Sequence, residues 1–214
     1  MTITPAEASA ETLRICHAAP VVPVLVIADA DSASALGTAL VAGGLPALEV
    51  TLRTPAALDA IAAMAEIPGG IVGAGTLLTP EDARNARAAG AKFGVSPGAT
   101  PALCAACEAE GLPLLAGAAT ATEAMALLER GYTVQKFFPA EAAGGARALG
   151  SLASPLPQIT FCPTGGISPS NASDYLSLPN VVCVGGSWVA PKDAVAAGAW
   201  DRIETLARAA SGLR

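Results

Sequence analysis

VVPVLVIADADSA, residues 21–33, is an apolar run that turns polar without meeting a glycine. Val21 to Ile27 reads as a strand. The longest apolar run, near Ala18 to Ala30, holds Pro20 and Pro23 and is too short and too broken to span a bilayer. An open, doubly wound sheet usually carries a glycine-rich fingerprint after its first strand, where the backbone approaches a pyrophosphate. Asp29, Ala30 and Asp31 stand there instead. A different parallel architecture fits better.

The rest of the chain alternates. Further strands are expected at Ala47–Leu52, Gly70–Thr76, Lys92–Ser96, Pro113–Gly117, Thr133–Phe138, Ile159–Pro163 and Val181–Gly185. After an opening helix at 5–18, helices are expected at 32–43, 55–66, 80–89, 101–110, 121–130, 144–152 and 169–177, with a last one from about 193. Thr79-Pro80, Thr100-Pro101 and Ser168-Pro169 place a cap before a first-turn proline, and Thr120 to Glu123 fits a capping box. Gly43-Gly44, Gly90, Gly111 and Gly131 are stop signals. Strands alternating with helices, unbroken by any linker, argue for a parallel sheet and a single domain over 1–214. The fold expected is an α/β protein, a (β/α)8 TIM barrel with an additional N-terminal helix. The doubly wound sheet is the alternative.

LEVTLRT, residues 48–54, takes its meaning from that choice. In a barrel, helices cover the outside, so Leu48, Val50 and Leu52 meet them. Glu49, Thr51 and Arg53 then point inward, with Arg53 nearest the C-terminal mouth. An isolated buried charge costs several kcal/mol. The mouth offers partners and water, and active sites of this fold lie there.

VQKFFPAE, residues 134–141, supplies a cation. The chain has three lysines. Lys92 opens a strand at the wrong end for chemistry, and Lys192 follows Pro191 where solvent exposure is expected. Lys136 alone is embedded in an apolar strand, sharing a face with Val134 and Phe138. Burial lowers a lysine pKa from roughly 10.4, and a neutral amine captures carbonyls as a Schiff base. A structural Lys136–Glu49 ion pair is the other reading, and it can also be the resting state of a catalyst.

Other strand ends add to the mouth. Thr76 shares a face with Val72 and Ala74, so its hydroxyl would line a pocket. Ser96-Pro97-Gly98 ends strand four in a tight turn. Gly165-Gly166 and Gly185-Gly186 follow strands seven and eight, where barrels often bind phosphate through backbone N–H groups.

Composition narrows the function classes. Across 214 residues, 52% are hydrophobic and 14% charged, with a net charge of −6. No basic run interleaved with aromatics is present, so nucleic acid and anionic membrane are not expected partners. The N-terminus lacks an apolar signal core, and a cytoplasmic protein is expected. Five cysteines suit reduced thiols. Cys104 and Cys107 form a CxxC inside a helical stretch. One histidine, His17, falls near a helix end, which argues against a His–carboxylate metal site.

LEVTLR, GAGT, SPG, KFFPAE, FCPTGGIS and VGGSW, in that order, resemble the bacterial 2-keto-3-deoxy-6-phosphogluconate (KDPG) and 4-hydroxy-2-oxoglutarate (KHG) aldolase family, from APVVPV to the tail. The resemblance implies a homotrimeric barrel doing class I aldol chemistry with no cofactor and no metal. Its substrates would be a phosphorylated 2-keto acid, pyruvate and glyceraldehyde 3-phosphate. By the same resemblance Lys136 forms the Schiff base and Glu49 moves protons. Arg53 and Thr76 would hold the pyruvyl carboxylate, and Pro97 and Phe138 would shape the pocket. Thr164 would touch the pyruvyl or hydroxyl region. Gly165, Gly166, Gly185, Gly186 and Ser187 would cradle phosphate. One departure stands out. The family ends strand five with Pro-Gly and a bulkier apolar residue, where this chain has Ala116-Gly117-Ala118-Ala119. Rival readings are a phosphogalactonate aldolase, a metal-dependent pyruvate aldolase, a phosphosugar isomerase and a non-catalytic sugar-phosphate-binding barrel.

Overall fold

The computed structural model describes residues 2–213. Helix α1 (Pro5–Cys16) precedes strand β1 (Val21–Leu25). Then come α2 (Ala33–Ala42), β2 (Ala47–Thr51), α3 (Ala57–Ala65), β3 (Ile71–Gly75), α4 (Pro80–Ala88) and β4 (Phe93–Val95). The second half runs α5 (Pro101–Glu110), β5 (Leu114–Ala118), α6 (Ala121–Arg130), β6 (Val134–Phe137), α7 (Gly145–Ser151), β7 (Thr160–Pro163), α8 (Ala172–Leu176) and β8 (Val184–Gly186). Two helices finish the described chain, α9 (Lys192–Ala196) and α10 (Trp200–Ser211).

Eight strands pair in parallel in the order β7-β6-β5-β4-β3-β2-β1-β8. Between β7 and β8 the circle closes through isolated bridges, Phe161 with Val181 and Thr164 with Gly185. The result is the expected (β/α)8 barrel with an extra N-terminal helix. No helix among the described residues is long and apolar enough to cross a membrane.

Period-two alternation sorts the core into two bodies. Leu48, Val50, Leu114 and Phe161 face outward and pack with the helices, as do Ile61 and Met64 of α3 from the other side. Val22, Ala47, Phe93, Val95, Leu115, Val134 and Cys162 fill the interior. Ile15 and Cys16 of α1 join that inner cluster, so α1 plugs the floor. Ser9 fixes the plug by accepting from the Thr133 amide at 3.0 Å and donating to the Gly131 carbonyl at 3.3 Å.

The helix starts obey their caps. Thr79, Thr100 and Thr120 each accept from an amide of the first turn, and Thr79–Asp82 and Thr120–Glu123 close as capping boxes. Gly90, Gly111 and Gly131 take positive φ at helix ends. Strand β8 starts at Val184 rather than 181, and two helices shift as well. Helix α8 starts at Ala172 rather than 169, because Asn171 Oδ1 takes the Ser168 amide at 2.8 Å and makes a turn there. The tail divides into α9 and α10 around Gly198, whose φ is +62°. His17 is the exposed C-cap of α1.

Candidate active site

Glu49 is the middle residue of β2, and Lys136 lies on β6. Alternation turns both inward, and strand register supplies their neighbours. Glu49 stands level with Val24 and Gly73, and Lys136 with Gly117 and Cys162. Glycine neighbours make room here, Gly73 for the Phe93 ring and Gly117 for the Ser96-Pro97 backbone. Gly75 is required for the same reason, since a Cβ there would come 2.3 Å from Glu49 Oε1. Lys136 Nζ donates to Glu49 Oε1 at 3.2 Å, with the two side chains 5% and 3% exposed. Both sequence-based readings of this pair therefore start from a real contact.

Desolvation offsets most of the attraction in such a pair, so burial of an ion pair is weak grounds for stability. Apolar residues of similar volume would fill the interior as well. What the pair offers is reactivity: an amine and a carboxylate fixed against each other in a largely dry chamber. The Phe138 ring covers the amine, with its centroid 5.2 Å from Nζ.

Arg53 has left the strand. Its amide donates to the Thr51 carbonyl in a tight turn, and its side chain reaches over the mouth. Arg53 Nε donates to Thr76 Oγ1 at 3.1 Å. Thr76 has φ +60°, the one non-glycine with positive φ among the described residues. That conformation is unfavourable for a β-branched side chain. It sets the hydroxyl where it orients the guanidinium, whose remaining N–H groups stay available for a bidentate grip on a carboxylate.

A cavity of about 550 Å³ opens at this end, lined by Arg53, Phe138, Thr164, Gly165, Gly166, Gly185, Gly186 and Ser187. Each of these was expected from the sequence. Val24, Val26, Ile167, Trp188, Pro191 and Lys192 also line it and were not. The amides of Gly166 and Ser187 have no hydrogen-bond acceptor among the described residues, which leaves donors for an anion. Gly185 admits Thr164, because a Cβ there would fall 2.2 Å from Thr164 Oγ1. Glu141 bonds the Tyr175 hydroxyl and steadies the Gly166 loop, where a Cβ would meet Glu141 Cγ at 2.6 Å. Glu49, Thr76, Pro97 and Lys136 are not among the residues lining this cavity. The Pro97 backbone packs on the inward face of β5, where a Cβ at Gly117, the register partner of Lys136, would meet it at 2.4 Å. Glycine is thus fixed at 117 while Ala116 and Ala118, the departures beside it, are buried.

All five cysteines are free and buried. Burial pushes the Cys107 thiol up to about 12, which suits a packed CxxC on α5 rather than a redox pair.

A closed barrel with a shielded amine and carboxylate beneath an anion-ready mouth defines the class: a (β/α)8 enzyme with its polar site at the C-terminal ends of the strands. Comparison with known proteins narrows it. The family model "KDPG and KHG aldolase" matches residues 13–206. The chain is 55% identical to 2-dehydro-3-deoxy-phosphogluconate aldolase of Pseudoalteromonas atlantica, over 89% of each chain. It is 52% identical to the KHG/KDPG aldolase of Escherichia coli, over 89% of this chain and 90% of that one. A KDPG aldolase from Legionella pneumophila, solved with pyruvate captured as a covalent carbinolamine, superimposes with a TM-score of 0.91 at 45% identity, covering 94% of this chain and 98% of that one. The chain belongs to the KDPG and KHG aldolase family.

Proposed function

We propose that this protein is a Schiff-base aldolase that cleaves 2-dehydro-3-deoxy-6-phosphogluconate to pyruvate and D-glyceraldehyde 3-phosphate, and that it also acts on 4-hydroxy-2-oxoglutarate. The observation that carries the reading is the Lys136 amine held 3.2 Å from Glu49 inside the barrel. Relatives named for this reaction, and the covalent pyruvate adduct of the Legionella protein, support it.

The chemistry follows from the groups present. Glu49 is placed to take a proton from Lys136 Nζ, and the neutral amine attacks C2 of the keto acid. Glu49 returns that proton to the carbinolamine hydroxyl, and loss of water gives an iminium, which serves as the electron sink, so the scheme calls for no metal. Glu49 then takes the C4 hydroxyl proton, directly or through water, and the C3–C4 bond breaks. The aldehyde leaves and the enamine is protonated at C3. Hydrolysis frees pyruvate and restores the lysine. One carboxylate serves as base and then acid because these steps are sequential.

Binding divides between two poles. Arg53, oriented by Thr76, takes the carboxylate, with Phe138 over the reacting carbon and Thr164 beside it. Pro97 shapes the pocket from the inward face of strand five, where its backbone packs on Gly117. Gly165, Gly166, Gly185, Gly186 and Ser187 take the phosphate through backbone amides. Lys192 joins them at the rim, so an acidic protein still offers an anion two cations on the cavity lining. One 214-residue domain, a homotrimer and residence in the cytoplasm belong to the same proposal and rest on the family resemblance. Sedimentation would check the trimer.

Borohydride reduction in the presence of pyruvate, followed by intact mass and peptide mapping, tests the chemistry. The reading expects one reduced adduct, on the peptide holding Lys136, with turnover unaffected by chelators. An adduct elsewhere, or none, overturns it. An isomerase or a non-catalytic binder predicts no adduct.

A further inference from the structure

The floor of the barrel holds a cluster that the aldol chemistry does not use. The sulfur atoms of Cys16, Cys162 and Cys183 all lie within 4.8 Å of one another. The three thiols come from three elements: Cys16 ends α1, Cys162 sits on β7 and Cys183 immediately precedes β8. All are buried and none is in a disulfide. No histidine or carboxylate joins them, and this is the one such group among the described residues.

Ligand number and charge decide what the cluster suits. Zinc in a structural site wants four ligands, and only three are offered. Soft thiolates select thiophilic ions. Three thiolates around a monovalent or divalent ion leave a net negative charge in the protein interior, at a cost of several kcal/mol. A trivalent metalloid forms a neutral complex with three thiolates and avoids that cost.

We propose that Cys16, Cys162 and Cys183 form a binding site for a three-coordinate thiophilic metalloid of the trivalent arsenic class. Starting from arsenous acid, three As–O and three S–H bonds break, three As–S bonds form, and three waters leave. No electron changes hands. A separate cavity of about 640 Å³ lies nearby, lined by His17 and Val182, the chain neighbours of Cys16 and Cys183, and by none of the three cysteines. The proposal does not depend on the aldolase reading. It does carry a consequence for it, because Cys162 and Lys136 are register partners on adjacent strands.

The test is native mass spectrometry of the full chain with arsenite, paired with a count of free thiols after denaturation. One arsenic per chain is expected, with free thiols falling from five to two. Cys16→Ala should lose the arsenic and keep a native circular dichroism spectrum. The double variant Cys104→Ala, Cys107→Ala should retain it. Failure of the native chain to bind overturns the proposal. So does a fall from five thiols to three, or arsenic that survives in Cys16→Ala, since either result assigns the metalloid to the helical CxxC pair. The thiol count on the native chain decides even if Cys16→Ala does not fold. Borohydride trapping by pyruvate, run separately, reports on the aldolase reading alone.

Discussion

At the floor of the barrel the interior is filled: Phe93, Val95, Leu115 and Val134 meet in the middle, and α1 closes beneath with Ile15 and Cys16. At the mouth β3, β5 and β8 carry Gly75, Gly117 and Gly185, and the space they give up is taken by Glu49, by the backbone of Pro97 and by Thr164. The floor adds volume and the mouth removes it. Strand alternation is common to both, so the difference lies in side-chain size and polarity. Changes at one end should therefore move stability with little effect on chemistry, and changes at the other should do the reverse.

The strongest test of that division is Lys136→Arg. A cation stays beside Glu49, so the fold should hold, while guanidinium stays protonated and cannot form an imine. Turnover should fall to background in a pyruvate-release assay, and a folded variant with measurable turnover would sink the mechanism. Phe93→Ala works from the other end. Truncating a buried ring should cost about 3–5 kcal/mol in denaturant unfolding, with kcat per folded molecule unchanged. Thr76→Gly comes next. Relief of the positive φ and the added freedom of the unfolded chain nearly cancel, so stability should move by about 1 kcal/mol or less. Without its hydroxyl partner Arg53 is less well aimed, and KM for the keto acid should rise by about three- to tenfold. Equal KM values would remove Thr76 from the site. The smallest effect belongs to Glu123, at the start of α6. The Ala119 amide first, then Thr120, holds its carboxyl below the ordinary 4.5. A lowered folded pKa gives stability that is complete above pH 4.5 and drains away as the pH falls. The gap between wild type and Glu123→Gln should therefore close in acid, as read by unfolding midpoints across that range.

The division also explains what the sequence could and could not reveal. Glu49 and Lys136 were legible because each is a charged residue on the inward face of an apolar strand, a local pattern. Thr76 and Arg53 were legible as strand-end residues, but their contact was not, since it depends on a turn after Thr51 and a left-handed residue at 76. Lys192 was set aside as a solvent-exposed residue. It is exposed, and it lines the cavity as well, because closure of the circle brings the segment after β8 over the mouth. That proximity is long-range and leaves no local trace, and the same holds for the meeting of Cys16 with Cys162 and Cys183. Pro97 was legible as a tight turn at a strand end, but its packing against the inward face of Gly117, level with Lys136, was not.

The bridges between β7 and β8 mark where the ring of staves is least firmly joined. On that joint a few bonds replace a full ladder, among them the Val182 amide on the Phe161 carbonyl. Gly165-Gly166 and Gly185-Gly186 lie on opposite sides of it, so an anion gripped by both would act as a clasp. Amide protons along the joint should then trade with deuterated solvent earlier than those of the β2–β3 ladder, and inorganic phosphate should slow them selectively. Holding the substrate would thus also hold the barrel shut.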